Sequence, residues 1–178
     1  MEQEWLAINF TLPKEPSRVR VSVWRKLKRS GAVNIGQSIW VLPTGVEHLS
    51  IFKEVANEVK GNNGLAFIMK TVFVQDPKDK PIVDYFNNAR DEEYKEFLDK
   101  CEDFHREIQK EIGKNNFSFA EIEENEHELG KLDNWLEGIA NRDFFKASLG
   151  EESQKALSTC KDVFEDYCTK VYEINGAI

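Results

Sequence analysis

Cysteine is scarce in this 178-residue sequence. Cys101, Cys160 and Cys168 are the only three, and no two stand in a C-x-x-C spacing. An odd, scattered set excludes a disulfide framework and a zinc ribbon, and it fits thiols kept reduced in a cytosol. Long apolar runs are missing too: nothing approaches the roughly 20 residues of a membrane helix. The first ten residues, MEQEWLAINF, are acidic ahead of a short apolar run, which is the wrong order for a secretory signal. There is no G-x-G-x-x-G, no P-loop, no nucleophile elbow and no zinc spacing. These absences predict a soluble, cytoplasmic, bacterial chain without a cofactor or a catalytic constellation. Aromatic residues, at 11%, are too frequent for a disordered chain.

Charge is present and unevenly placed. The net charge is −8, yet residues 13–31, PKEPSRVRVSVWRKLKRSG, gather Lys14, Arg18, Arg20, Arg25, Lys26, Lys28 and Arg29 against Glu15 alone. Residues 1–75 hold 10 Lys and Arg against 6 Asp and Glu, a net +4; residues 76–178 hold 14 against 26, a net −12. Two halves with different partners are implied.

The first half reads as short strands and helices. Residues 5–12, WLAINFTL, form a strand stopped by Pro13 and Pro16. Ser17 is placed to cap a helix over 18–29, and Gly31 suits the turn that ends it. Residues 32–35 and 39–42 read as a hairpin about Gly36-Gln37, closed by Pro43. Leu49, Phe52, Val55, Ala56 and Val59 have helical spacing over 47–60, GNNG at 61–64 ends that helix, and 65–74 is a fourth strand. The order β-α-β-β-α-β is that of a ferredoxin-like unit.

QDPKDKP (75–81) reads as a linker, and the remainder as all helix. A helix over 81–113 has the stripe Val83, Phe86, Tyr94, Phe97, Leu98, Cys101, Phe104, Ile108 and Ile112. A second starts at the capping box Ser118-Phe-Ala-Glu121, with Ile122, Leu129, Leu132, Trp135, Leu136 and Ile139 on its apolar side. A third, from about 151, has Ala156, Leu157, Cys160, Val163, Phe164, Tyr167 and Val171. The expectation is an α+β protein. It has a ferredoxin-like βαββαβ domain at 1–75 and an acidic domain of about three amphipathic helices at 76–178, suited to pairing protomers.

On a helical wheel, Val19, Val23, Trp24 and Leu27 share one side of 18–29, while Arg18, Arg25, Lys26 and Arg29 return to the other. An apolar face against a sheet and an outward basic face make a phosphate-binding surface; a solvated face balancing the acidic half is the plain alternative. Arg20 falls inside the apolar arc, where a guanidinium must snorkel or find a carboxylate. Arg90-Asp91 and Arg142-Asp143 are two Arg-Asp dipeptides in different helices. They read as a structural lock with Phe144 and Phe145 wedged between layers, or as an oxyanion site built on the arginines. The adjacent aspartates, which would repel an anion, favour the lock.

Two Glu-x-x-His patterns, Glu102 with His105 and Glu124 with His127, invite a di-iron reading. The facing argues against it: His105 lies near the centre of its stripe, Glu102 is well off it, and the second pair faces away from Leu129, Leu132 and Leu136. His48 has no obvious partner. Cys160 and Cys168 fall near an apolar stripe, as buried thiols do.

LPKEPSRVRVSVWRKLKRSGAVNIGQSIWVLP (12–43) resembles the N-terminal domain of the ChrB chromate-resistance regulators. ARDEEY (89–94), LDNWLEGIANRDFF (132–145) and the closing Val171-Tyr172 are similar as well. The resemblance implies a cytoplasmic transcriptional regulator of chromate-resistance operons that binds double-stranded DNA, expected upstream of its own operon. Family members carry a further C-terminal chromate-resistance domain that is missing here. The expectation is therefore a stand-alone relative, or a partner of a separate chromate-sensing protein. The first half also looks like the middle domain of the phenylacetate repressor PaaX and like the small CRISPR spacer-acquisition nuclease. In those proteins the first strand ends in an Asp; here Thr11 stands there, and a hydroxyl cannot serve as the hard anionic ligand of Mg²⁺, so no nuclease activity is expected.

The expected function is therefore a DNA-binding regulator, without catalysis, acting through Arg18, Arg25, Lys26 and Arg29, as a homodimer suited to a palindromic site. The alternative is a protein-interaction or oligomerisation module whose basic helix docks on an acidic partner.

Overall fold

A computed structural model describes residues 4–74 and 80–176. The elements are β1 (Trp5–Thr11), α1 (Ser17–Arg29), β2 (Val33–Gly36), β3 (Ile39–Pro43), α2 (Val46–Gly61), β4 (Leu65–Thr71), α3 (Lys80–Gly113), α4 (Phe119–Ala140) and α5 (Gly150–Ile174). Contacts divide the chain into two compact units, at Ala89 and Arg90 within α3. The expected linker at 75–81 lies outside the described residues up to position 79; Lys80 and Pro81 already belong to α3.

In the first unit the four strands form one antiparallel sheet in the order β2-β3-β1-β4. Each helix therefore returns the chain to a strand that is not the neighbour of the one it left. This is the ferredoxin-like arrangement. β1 is central, with Ile8 opposite Trp40 on one side and Ile68 on the other. Trp5, Leu6, Ala7 and Ile8 are all buried because both faces of β1 are covered there. The Ile8 face lies under α1 and α2, which bury Val19, Val23 and Leu27, and Phe52, Val55, Ala56 and Val59. The Trp5 face meets the first turns of α3: Trp5 stacks on Phe86 with centroids 5.6 Å apart, and Ile82, one turn before Phe86, is buried as well. That cover stops short. Met69 and Phe67 lie opposite Ala7 and Asn9, so they share their face, and with Leu65 they stand exposed; Phe67 is 61% accessible.

Several boundaries differ from the expectation. β4 ends at Thr71, not 74, because Thr71 pairs with Trp5, the first residue of β1; the ladder runs out, and Val72 and Val74 are exposed. The hairpin turn falls on Gln37-Ser38, with Gly36 opposite Ile39 and Ser38 at φ 71°. Ser17 is the first residue of α1, not its cap. Pro16 holds the extended cap position, and the Glu15 carboxylate accepts from the Ser17 N–H at 3.2 Å. Gly31, at φ 80°, ends α1 as expected. Ala32 N–H donates to Leu27 and Gly31 N–H to Lys28, a Schellman pair that needs a left-handed residue. Gly64 has another reason to be glycine: a Cβ there would stand 2.4 Å from the Thr11 carbonyl oxygen and 2.6 Å from Val59.

The second unit packs α3, α4 and α5 around Tyr94, Phe97, Phe104, Ile108, Leu132, Leu136, Ile139, Leu157, Tyr167 and Val171. These are the expected stripes. Ser118 caps α4, accepting from Glu121 N–H at 3.3 Å. The turn before it is tied down by side chains. Glu111, buried at the end of α3, accepts from Lys114 at 2.8 Å and Asn116 at 2.6 Å, while the Asn116 carbonyl accepts from the Tyr167 hydroxyl at 2.6 Å.

Candidate nucleic-acid interface

α1 is built to present cations. Val19, Val23 and Leu27, four residues apart, fix its buried side. Arg18, Arg25 and Arg29 then fall on the opposite side, and all three are exposed. They run along about 16 Å of helix axis. Among the described residues no carboxylate comes within ion-pair distance of any of them. A shallow groove of about 410 Å³ runs between them, lined also by Ser17, Val21 and Ser22.

Lys26 is placed differently from the other three. It turns toward α2 and meets Glu58 at 2.7 Å. Burial pushes the Glu58 carboxyl up, but hydrogen bonds from Lys26 and Ser22 outweigh it and hold the group below its ordinary range. Lys26 thus spends its charge within the fold, joining two helices.

Arg20 and Trp24 occupy the other flank of α1. Periodicity puts both inside the apolar arc. In the structure Arg20 is exposed, with no ion pair among the described residues, and Trp24 is 50% accessible. The side chains at 19, 23 and 27 already fill the contact with the sheet, so 20 and 24 overhang it. Together with Phe10, Asn34, Ser38 and Trp40 they line an open groove of about 550 Å³ between α1 and the β2–β3 hairpin. Sequence reasoning missed this groove, since it depends on how far the hairpin stands from the helix. Thr11, at the end of β1, is exposed on its rim.

The two Arg-Asp dipeptides come together in the second unit, through a residue the sequence reading did not single out. Arg90 is 1% exposed and meets Glu93 at 3.0 Å; the other Glu93 oxygen takes Arg142. Burial pulls the Arg90 pKa down and Glu93 pushes it back up. The aspartates serve the loop that leads into α5. Asp91 accepts from the Ser148 hydroxyl at 2.9 Å and the Leu149 N–H at 3.0 Å, and Asp143 from the Ala147 N–H at 2.9 Å. Asp143 also accepts from Tyr94 at 3.2 Å. Burial first, and Asp143 second, push the Tyr94 phenol up to about 12. Phe144 and Phe145 meet edge to face, 6.4 Å apart.

The histidines also move from their expected places. His105 is exposed, one step around α3 from the Phe104–Ile108 seam, and not near the stripe's centre. His48 is part-buried, and its Nδ1–H donates to the Pro43 carbonyl at 2.7 Å. Among the described residues no three His, Cys, Asp or Glu side chains gather as a metal set, and no helix is long and apolar enough to cross a membrane.

A search of curated proteins and of solved structures finds no significant match. A family model does match. Described as "Protein ChrB, N-terminal", it covers residues 20–178, from the middle of the first turns of α1 through both units. The match takes in α1 from Arg20 onward, leaving Arg18 outside it, with the hairpin, the Arg90–Glu93–Arg142 cluster and all of α5, and on that coverage the chain belongs to the ChrB N-terminal family.

Proposed function

We propose that the chain is a chromate-resistance-type transcriptional regulator that binds duplex DNA through the outward face of α1. The observation that carries the reading is the trio Arg18, Arg25 and Arg29: exposed, in line, and without a carboxylate in range among the described residues. Guanidinium groups so placed suit phosphate oxygens, which they can grip with two parallel hydrogen bonds. Lys26 belongs to the surface only if phosphate competes successfully with Glu58. A homodimer would carry two such helices and match the half-sites of a palindrome.

The test is fluorescence anisotropy with duplex DNA from upstream of the gene against random duplex, at two salt concentrations. The regulator reading expects salt-sensitive binding that prefers the upstream duplex. Absence of binding even at low salt would hand α1 to an acidic protein partner.

A further inference from the structure

Cys101 and Cys160 stand 59 positions apart in the sequence, yet the fold sets them against each other inside the second unit. Both lie in the helical core, one on α3 and one on α5. The Cys160 thiol donates to the Cys101 carbonyl at 3.6 Å, which brings its sulfur up against residue 101. Both are free thiols. They also form part of the wall of an open groove of about 780 Å³, whose other lining includes Leu98, Glu102, His105, Arg106 and Lys155. Cys168 offers an internal comparison. It sits farther along α5, half-buried, and burial pushes its thiol up.

We propose that Cys101 and Cys160 form a dithiol modification site whose co-substrate class is the hydroperoxides, and that oxidation closes a disulfide between α3 and α5. The site stands on the second unit's own geometry and is independent of the DNA-binding reading. The groove admits a small, water-soluble oxidant. Either thiol can attack first, and exchanging them changes neither the balance nor the product; the attack begins here at Cys160. Its sulfur bonds to the outer oxygen of R–O–O–H, the O–O bond breaks, and the departing RO group takes the thiol proton to leave as an alcohol. Cys160 is then a sulfenic acid. Cys101 attacks that sulfur, the S–O bond breaks, and the hydroxyl leaves as water with the Cys101 proton. In sum, two thiols and one hydroperoxide give one disulfide, one alcohol and one water, with two electrons passed to oxygen.

The experiment treats the intact chain with hydrogen peroxide, removes the excess, alkylates under denaturing, non-reducing conditions, and maps the peptides. The expected result is a Cys101–Cys160 cross-linked peptide pair within one chain, with alkylatable cysteines falling from three to one and all three recovered by dithiothreitol. Cys168→Ser is expected to form the same cross-link at the same rate. Three thiols surviving the oxidant would overturn the proposal. So would oxidation that stops at sulfinic acid, or a cross-link that uses Cys168 or joins two chains. The wild-type chain alone decides between these outcomes, so the test does not depend on a substituted core residue folding.

Discussion

Arg90 is a full charge inside a small helical core, and a buried guanidinium stays in place only while its partner does. Glu93 supplies that partner and also takes Arg142, so one carboxylate pairs with two cations. Arg90→Ala removes one and leaves a cavity with the carboxylate beside it; unfolding by urea should show a loss of about 3 kcal/mol. Gly64→Ala should cost about 1–3 kcal/mol by the same measurement, because the new methyl meets backbone oxygen that cannot step aside. Glu111 predicts a pH effect. Lys114 and Asn116 hold its carboxyl below the ordinary range, so the folded form binds its proton more weakly than the unfolded chain does. The stability it contributes is complete at neutral pH and is lost as the pH falls through that depressed value. Thermal melts of Glu111→Gln and the parent should therefore lie farthest apart at neutral pH and converge in acid. Little of this was legible in the sequence. The Arg-Asp dipeptides stood out, but Glu93, three residues after Arg90, is indistinguishable in a string from the exposed i, i+3 pairs such as Glu92–Lys95 on the same helix. Only the position of Arg142 separates them.

Elements were far easier to read than side-chain partners. Pro13, Gly31, Pro43 and GNNG punctuate the first half at the places where the chain must turn, and the periodicities between them change from two to about 3.6. The order of elements followed directly. What periodicity cannot weigh is how much of an apolar stripe the facing sheet has room for. Val19, Val23 and Leu27 fill that room on α1, which leaves Trp24 and Arg20 overhanging; at the end of β4, apolar Val72 and Val74 read as strand although β1 offers them no partner. α1 also sets the central functional prediction. Charge reversal at Arg25 and Arg29 together should weaken duplex binding across all sequences, upstream and random alike, as loss of phosphate contacts does. Anisotropy titration checks it; unchanged affinity would move the interface elsewhere. Lys26→Ala should cost less binding than either arginine, since that charge is already engaged by Glu58.

At the scale of the whole molecule, the charge of −8 opposes approach to any polyanion. Attraction must therefore be local and short-ranged. Three arginines per protomer meeting three phosphates give a slope of log affinity against log salt of about −3 for one protomer and about −5 for a homodimer with both helices engaged, shrinking by about 1 for each arginine neutralised. A much steeper slope, measured by the same titration, would mean that cations beyond α1 take part. The division of charge between halves was plain in the sequence, and so was the division into an α+β part and a helical part. The bare end of the sheet was not, because Leu65, Phe67 and Met69 alternate with Ala66 and Ile68 in a pattern that reads as core on either face. That strip has a practical meaning at the bench. An environment-sensitive dye finds apolar surface on the native protein before any heat is applied. A melting curve followed by such a dye starts bright, and Phe67→Lys should darken its starting baseline without moving the midpoint that circular dichroism records.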